Sequence, residues 1–440
     1  MNNKVDLALD INIDDNNGVN MNKSYIKDEN PITLKEVNWV SVNKNRKPIP
    51  SKRNLIELLN TYNINVYYNE MSNNIEITGF NNCKNNLKKQ KQNLRDLCVE
   101  NYFNTTINEF ESMLSNIATD NSYHPFLDKL EEIYKSGFDY EKNYHIIDEV
   151  FNCLPVDTSF CELEFYEMLF VKWCINVVRQ CENSFDKKIM SNGVLIIQGK
   201  QGCRKTTFCE KLMPSNEFVL TGSRLDPENK DSIQQNTNKV IVELGEMDST
   251  FKAQQSALKA FFTRSTDVYR AAYDRELSEI PRRTTFIGTV NKVDFLKDET
   301  GSRRYWIIPL KEGKYVDIEK MEKLNMWDFW SAIYYVYKNG MVKEYLENTE
   351  MEKLNELNKR YNEENDCAIA LKEKFDWDEQ DISKYNAMNV SDIKEVIGNF
   401  NNKQIKNELE KMGIKYVEKR TCIINGKKTR KSSYLIPPQI

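Results

Sequence analysis

The chain has 440 residues, 40% of them hydrophobic and 29% charged, with 62 Lys and Arg against 66 Asp and Glu for a net charge of −4. That length exceeds what one hydrophobic core usually supports, so several domains are expected, and the near-balance of charge excludes a cationic surface spread over the whole molecule, leaving only local patches for polyanions. Ten cysteines and only two histidines, with no CxxC pair, point to neither a zinc site nor a disulfide framework, and no apolar run reaches the ~20 residues of a membrane span, so the chain reads as cytoplasmic.

Residues 1–30 are rich in Asn and Asp with few apolar side chains, the composition of a flexible tail. Residues 31–80 read as a small α+β module, with a helix over Asn54–Tyr62 and strands over Asn65–Tyr68 and Ile75–Thr78. A helical lead-in follows over 81–185, polar at first and apolar through Leu163–Val178.

The chemistry concentrates in 186–312. The apolar run Val194–Gln198 passes into a glycine turn that ends in Lys-Thr, the layout of a phosphate cradle. Gly199, Gln201, Gly202, Cys203, Arg204, Lys205, Thr206 and Thr207 are the expected nucleotide contacts: backbone N–H groups converge on the phosphates, Lys205 neutralises their charge, and the Thr206 hydroxyl holds Mg²⁺. The usual pattern has glycine where this chain has Arg204. ATP and Mg²⁺ are the expected ligands.

A second apolar run, Val240–Leu244, contains the carboxylate the metal needs, Glu243, with Glu246 three positions on. Glu243 is assigned to Mg²⁺ beside Thr206 and Glu246 to the base that activates water, roles the spacing alone leaves interchangeable. A third run, Thr284–Val290, ends in Asn291, an amide suited to orienting the attacking water. Arg303 and Arg304 open a fourth apolar strand, where one guanidinium or the other is expected to reach the γ-phosphate on an adjacent subunit. That role requires an oligomer.

Residues 313–380 read as a helical lid and linker, and the stripe Trp327, Trp330, Ile333, Tyr334 and Tyr337 as helix core rather than a base-stacking platform. From 381 to 440 two short helices precede two strands joined by Asn425-Gly426, a strong hairpin signal, in the order of a winged-helix-like DNA-binding module. Between 401 and 440 ten basic residues face three acidic ones, a local net of +7. Lys403, Lys406, Lys427, Lys428, Arg430 and Lys431 are therefore expected DNA phosphate contacts.

The ordered set of cradle, acidic strand with Glu243-Leu244-Gly245-Glu246-Met247-Asp248, Asp267–Tyr273, Pro281-Arg282-Arg283, Asn-ended strand and Asp298–Arg304 resembles the virulence-associated protein E family of phage and mobile-element ATPases, over roughly Asn192–Leu310. The resemblance extends to ring-forming superfamily 3 helicases and poxvirus-type primase-helicases. It implies an α/β, P-loop NTPase core of the AAA+/superfamily 3 helicase-like kind, a hexameric motor on single- or double-stranded DNA, and partners such as a primase or other replication proteins. Tyr269–Tyr273 and Leu277–Pro281 flank a polar tip and read as a hairpin. By the same resemblance that hairpin lines a central pore, making Lys259, Arg264, Arg270 and Arg275 DNA-contact candidates, although Arg264 or Arg270 is equally suited to pair with Asp267. The aspartates and histidine of a primase site are not found around His124 or His145. Two other readings remain open: a DNA-binding protein with a decayed nucleotide site, and a P-loop phosphotransferase, which would leave the basic tail and the arginine pair unexplained.

Overall fold

The computed structural model describes residues 34–80, 86–245, 257–269, 278–296, 302–362, 366–414, 416–424 and 427–440, with the backbone alone described at 302, 411, 416–424 and 427–432. The tail expected over 1–30 lies outside these residues. The chain divides into two units, one taking residues up to Val66 together with Ile77–Ile117, the other Tyr67–Glu76 with Ala118–Ile440.

In the first unit, helix Lys52–Tyr62 starts at Ser51, whose side chain accepts from Asn54 N, and stops at Asn63, left-handed at φ 55°. Such a polar start and left-handed stop satisfy terminal backbone groups. Leu55, Leu58 and Leu59 recur at helical spacing on its buried face. Asn54 is buried too, but its amide donates to Ser41 O and Ile49 O and its carbonyl accepts from Ser41 N, so its burial leaves no polar group unmatched.

Strands β1 (Asn65–Asn69), β2 (Asn74–Thr78) and β3 (Ser122–Tyr123) are short, and β1 pairs with β3 in parallel through Tyr68 and Asn69. The second unit is organised by a larger sheet. Its strands are β4 (Val194–Gln198), β5 (Val219–Ser223), β6 (Ile241–Leu244), β9 (Thr285–Val290) and β10 (Tyr305–Pro309), all parallel, in the spatial order β10-β4-β9-β6-β5. Four of these are near-continuous apolar runs because a parallel sheet is covered on both faces. Strand alternation divides the apolar residues between two cores. Leu195, Ile197, Ile287 and Ile308 bury with Phe170, Trp173 and Trp330. Val194, Ile196, Val242, Phe286 and Ile307 bury with Phe261, Phe262 and Tyr361.

Two helices lock onto this frame through indoles. Trp173, on helix Leu163–Cys181, donates to Phe286 O at 3.1 Å, and Trp330, on helix Met326–Lys338, donates to Leu212 O at 2.8 Å. The aromatic stripe is thus core, with Trp330, Ile333 and Tyr334 buried.

Strands β7 (Thr266–Tyr269) and β8 (Ser278–Pro281) pair antiparallel, Thr266 opposite Pro281. The expected hairpin is present, with strands set nearer its base; its tip lies outside the described residues. Arg270 lies outside the described residues, and among them Asp267 does not pair with Arg264. Its partner is Arg282, both side chains being 1% exposed, with Nε–Oδ2 at 2.7 Å and a second contact between Nη2 and Oδ1. The pairing follows from the hairpin register, which sets Asp267 opposite Ile280 and so beside the start of the link into β9.

The C-terminal part builds its own small core. Helix Asp366–Lys374, β11 (Asn386–Met388), helices Val390–Ile397 and Asn402–Lys411, and strands β12 (Tyr416–Ile424) and β13 (Lys427–Ile436) follow in order. The three strands form an antiparallel sheet ordered β11-β13-β12. Cys367, Leu371, Ile393, Ile405, Leu409 and Ile436 bury together beneath it. Among the described residues no helix is long and apolar enough to cross a membrane.

Candidate nucleotide-binding site

The site forms where β4 ends. Gly199 N donates to Val290 O at 3.1 Å, and a Cβ on Gly199 would lie 3.1 Å from Leu310 Cβ and 3.4 Å from Cys203 Sγ, so the turn closes tightly only without a side chain there. Gly202 and Arg204 both adopt positive φ, +85° and +69°. Arg204 therefore keeps the left-handed backbone that glycine adopts freely and an L side chain adopts at a cost of about 1 kcal/mol. Its side chain is exposed and does not fill the turn. Helix Lys205–Lys211 begins directly after it.

Lys205 is buried. Its Nζ donates to Gly199 O at 2.6 Å, Lys200 O at 2.9 Å and Asn291 Oδ1 at 3.0 Å. Asn291 follows β9, the strand next to β4, so parallel pairing alone brings the amide to the lysine. Glu243, on β6 one strand further, is fully buried, and its carboxylate accepts from Thr289 Oγ1 at 2.6 Å, Thr206 Oγ1 at 3.3 Å and Gly222 N at 2.5 Å. All three donors are neutral. Gly222 is left-handed at φ +67°, which turns its N–H back from the end of β5. The Cys209 thiol, beneath the helix, is pushed well above its usual range by burial and then by the Glu243 charge, so it is an inert core group rather than a nucleophile.

Lys205, Thr206, Glu243 and Asn291 thus converge from three strand ends. Of the other turn residues, Gln201 is exposed, Cys203 buried and Thr207 half-buried. Glu246 lies outside the described residues. Arg303 and Arg304 do not join the group: they form the turn Ser302–Arg304 just before β10, where Tyr305 is level with Val194 at the opposite end of the sheet from Gln198. The two ends of this five-residue strand are four residue steps apart, roughly 13 Å. Neither guanidinium serves the turn of its own chain. Arg303 is exposed, whereas Arg304 is half-buried with Nε lacking a hydrogen bond among the described residues.

Among the DNA candidates, Lys259 is buried and Arg264 exposed, its guanidinium 5.9 Å from the Phe261 ring centroid. Arg270 and Arg275 lie outside the described residues. Lys403 and Lys406 are exposed on helix Asn402–Lys411, whose opposite face buries Ile405 and Leu409. Lys427, Lys428, Arg430 and Lys431 lie on β13, paired with β12.

Sequence reasoning missed two partners of Glu243. Thr289 stands two residues before Asn291, and strand alternation sets the two on one side, a usable signal. The Gly222 N–H carries none.

Residues 147–363 match the family model for the virulence-associated protein E-like domain. This segment is similar to the virulence-associated protein E-like domain. The segment holds the whole Lys205–Glu243 group, the β7–β8 hairpin and the Arg303-Arg304 turn, while Lys403, Lys406 and the C-terminal sheet lie beyond it. Similar solved structures include the apo structure of the NrS-1 C terminal region (305-718), 14% identical, covering 87% of this chain and 98% of that chain at a TM-score of 0.43. An A form apo structure of the same region is 15% identical, covering 87% and 98%, at 0.44. No curated protein matches the chain.

Proposed function

We propose that the chain is an ATP-dependent DNA helicase or replication-initiator-type ATPase of a phage or mobile genetic element, acting as a homo-oligomeric, hexameric ring. The observation that carries this reading is Glu243, a fully buried carboxylate whose donors among the described residues are all neutral and include the Thr206 hydroxyl next to Lys205 in the chain. An ionised carboxylate buried without a cationic donor is costly, and a divalent cation at Thr206 and Glu243 offsets that cost with hard oxygen ligands. The donor set fits Mg²⁺, which when bound draws charge from the β and γ oxygens.

Lys205 exchanges its loop carbonyls for phosphate oxygens. Asn291, already bonded to Lys205, orients the attacking water, and Glu246 takes its proton. Thr289 and Gly222 hold Glu243 in place. Arg303, exposed at the far end of the sheet, acts on a neighbouring copy's nucleotide, with Arg304 as its alternative; this is the geometric reason for an oligomer. DNA contacts come from the hairpin, through Arg264, Arg270 and Arg275, and from the C-terminal winged-helix-like module, through Lys403, Lys406 and the basic wing. The family match supports a phage-type replication role.

The test is ATP hydrolysis by the full chain with Mg²⁺, with and without single-stranded DNA. The expected result is DNA-stimulated turnover that Lys205→Ala lowers by about 10²–10³-fold with duplex binding retained. Absence of turnover in the unmodified chain, with DNA binding intact, would leave a non-enzymatic DNA-binding protein.

A further inference from the structure

The sheet order leaves one side of the phosphate turn without an assigned role. Thr206, Glu243, Thr289 and Asn291 all lie toward β9 and β6, which sets the γ end of a triphosphate on that side of β4. The other neighbour of β4 is β10, and the chain leaving β10 runs along the turn as a strap. Leu310 N donates to Gln198 O at 2.8 Å, Val316 N donates to Cys203 O at 3.1 Å, and Lys200 pairs with Glu312. The strap's other flank is tied as well, Lys311 N to Pro155 O at 2.8 Å and Asp317 N to Cys153 O at 2.9 Å. Gly313, left-handed at φ +70°, makes its bend.

Tyr315 stands on this strap, one residue from the Val316–Cys203 bond. It is 65% exposed and has no hydrogen bond or ring contact with a described residue. Phe160, an exposed aromatic a few residues after Pro155, is by contrast already covered by the Arg360 guanidinium. A large aromatic held in water on a backbone fixed at both ends loses little entropy when a flat ligand covers it.

We propose that the Tyr315 ring stacks on the purine base of a nucleoside triphosphate whose phosphates lie in the 199–206 turn. The proposal rests on reading that turn as the phosphate site. Lys205, Thr206 and Asn291 then govern the γ end, and Tyr315 the nucleoside end.

The full chain, Tyr315→Ala and Tyr315→Phe are each titrated calorimetrically with ATP and with inorganic tripolyphosphate, both with Mg²⁺. Tyr315→Ala is expected to bind ATP roughly tenfold more weakly, Tyr315→Phe to bind it nearly as the unmodified chain does, and tripolyphosphate binding to stay unchanged in all three. Equal ATP affinity in Tyr315→Ala overturns the proposal, as does a parallel loss of ATP and tripolyphosphate, which would make Tyr315 a support of the turn. If the unmodified chain takes up neither ligand, the phosphate reading fails first and this one with it.

Discussion

Lys205 and Lys403 carry the same ammonium group, yet the first is buried against two carbonyls and an amide at the end of a parallel sheet, while the second stands exposed on a short helix over a small core. Glu243 and the Asp267–Arg282 pair belong with Lys205: each buried charge has named partners at fixed distances. A buried charge acts through those few contacts and fails when one is removed. The C-terminal lysines act through their summed field, so each contributes a small share that salt screens.

The largest effect is expected at the buried extreme. Arg282→Met leaves Asp267 charged and unpaired at the base of the hairpin and should lower unfolding stability by about 3–5 kcal/mol, measured by urea denaturation. Replacing Asp267 with Leu as well should recover most of that loss. A double variant no better than the single one would show that the pair is not the unit of stability there.

His124 sharpens the same contrast by being buried and neutral. Its Nδ1 accepts from Leu127 N at the start of helix Pro125–Lys135, and burial, reinforced by the Arg283 charge, pushes its pKa from 6.5 down to about 3. The folded chain stays unprotonated there while the unfolded chain gains a proton below its ordinary value, so stability falls as pH drops from about 6.5 toward 3. By pH 5 this contribution is about 2 kcal/mol. His124→Asn keeps a capping side chain and should flatten the pH 7 to pH 5 difference by that amount; an unchanged slope would show that His124 titrates normally.

Arg204 stands between the two classes, an exposed charge on a buried architecture. Arg204→Gly relieves the left-handed backbone and should raise stability by up to about 1 kcal/mol while ATP affinity holds or improves, read from thermal melts and titration. A loss of ATP binding would show that the guanidinium itself contacts phosphate. The smallest effects belong to the exposed helix: Lys403→Ala and Lys406→Ala should each weaken duplex binding modestly and reduce the salt slope of log Kd by about 1. A loss confined to one DNA sequence would instead assign base contacts to that lysine.

The legibility of the sequence follows the same division. Apolar runs placed β4, β6, β9 and β10 within a residue or so because fully buried parallel strands need unbroken hydrophobicity; Lys205 was readable from the glycine turn after β4, and Glu243 and Asn291 from the ends of their apolar runs. Thr289 was missed, since a threonine inside Thr285–Val290 looks like any strand former, and only its place two residues before Asn291 marks it. The Asp267–Arg282 pair was hidden because it depends on hairpin register rather than on spacing along the chain. In the C-terminal part the two short helices were expected and the paired strands β12 and β13 were evident from the Asn-Gly signal, while β11, three residues long, is too short to show a period.

The central claim is that the turn from Gly199 to Thr206 holds a triphosphate with Arg204 in place. Titration of the full chain with ATP, with and without Mg²⁺, tests it most directly. Saturable, Mg²⁺-dependent binding below about 1 mM, lost in Lys205→Ala, is the result this account predicts; no Mg²⁺-dependent uptake at millimolar ATP would contradict it.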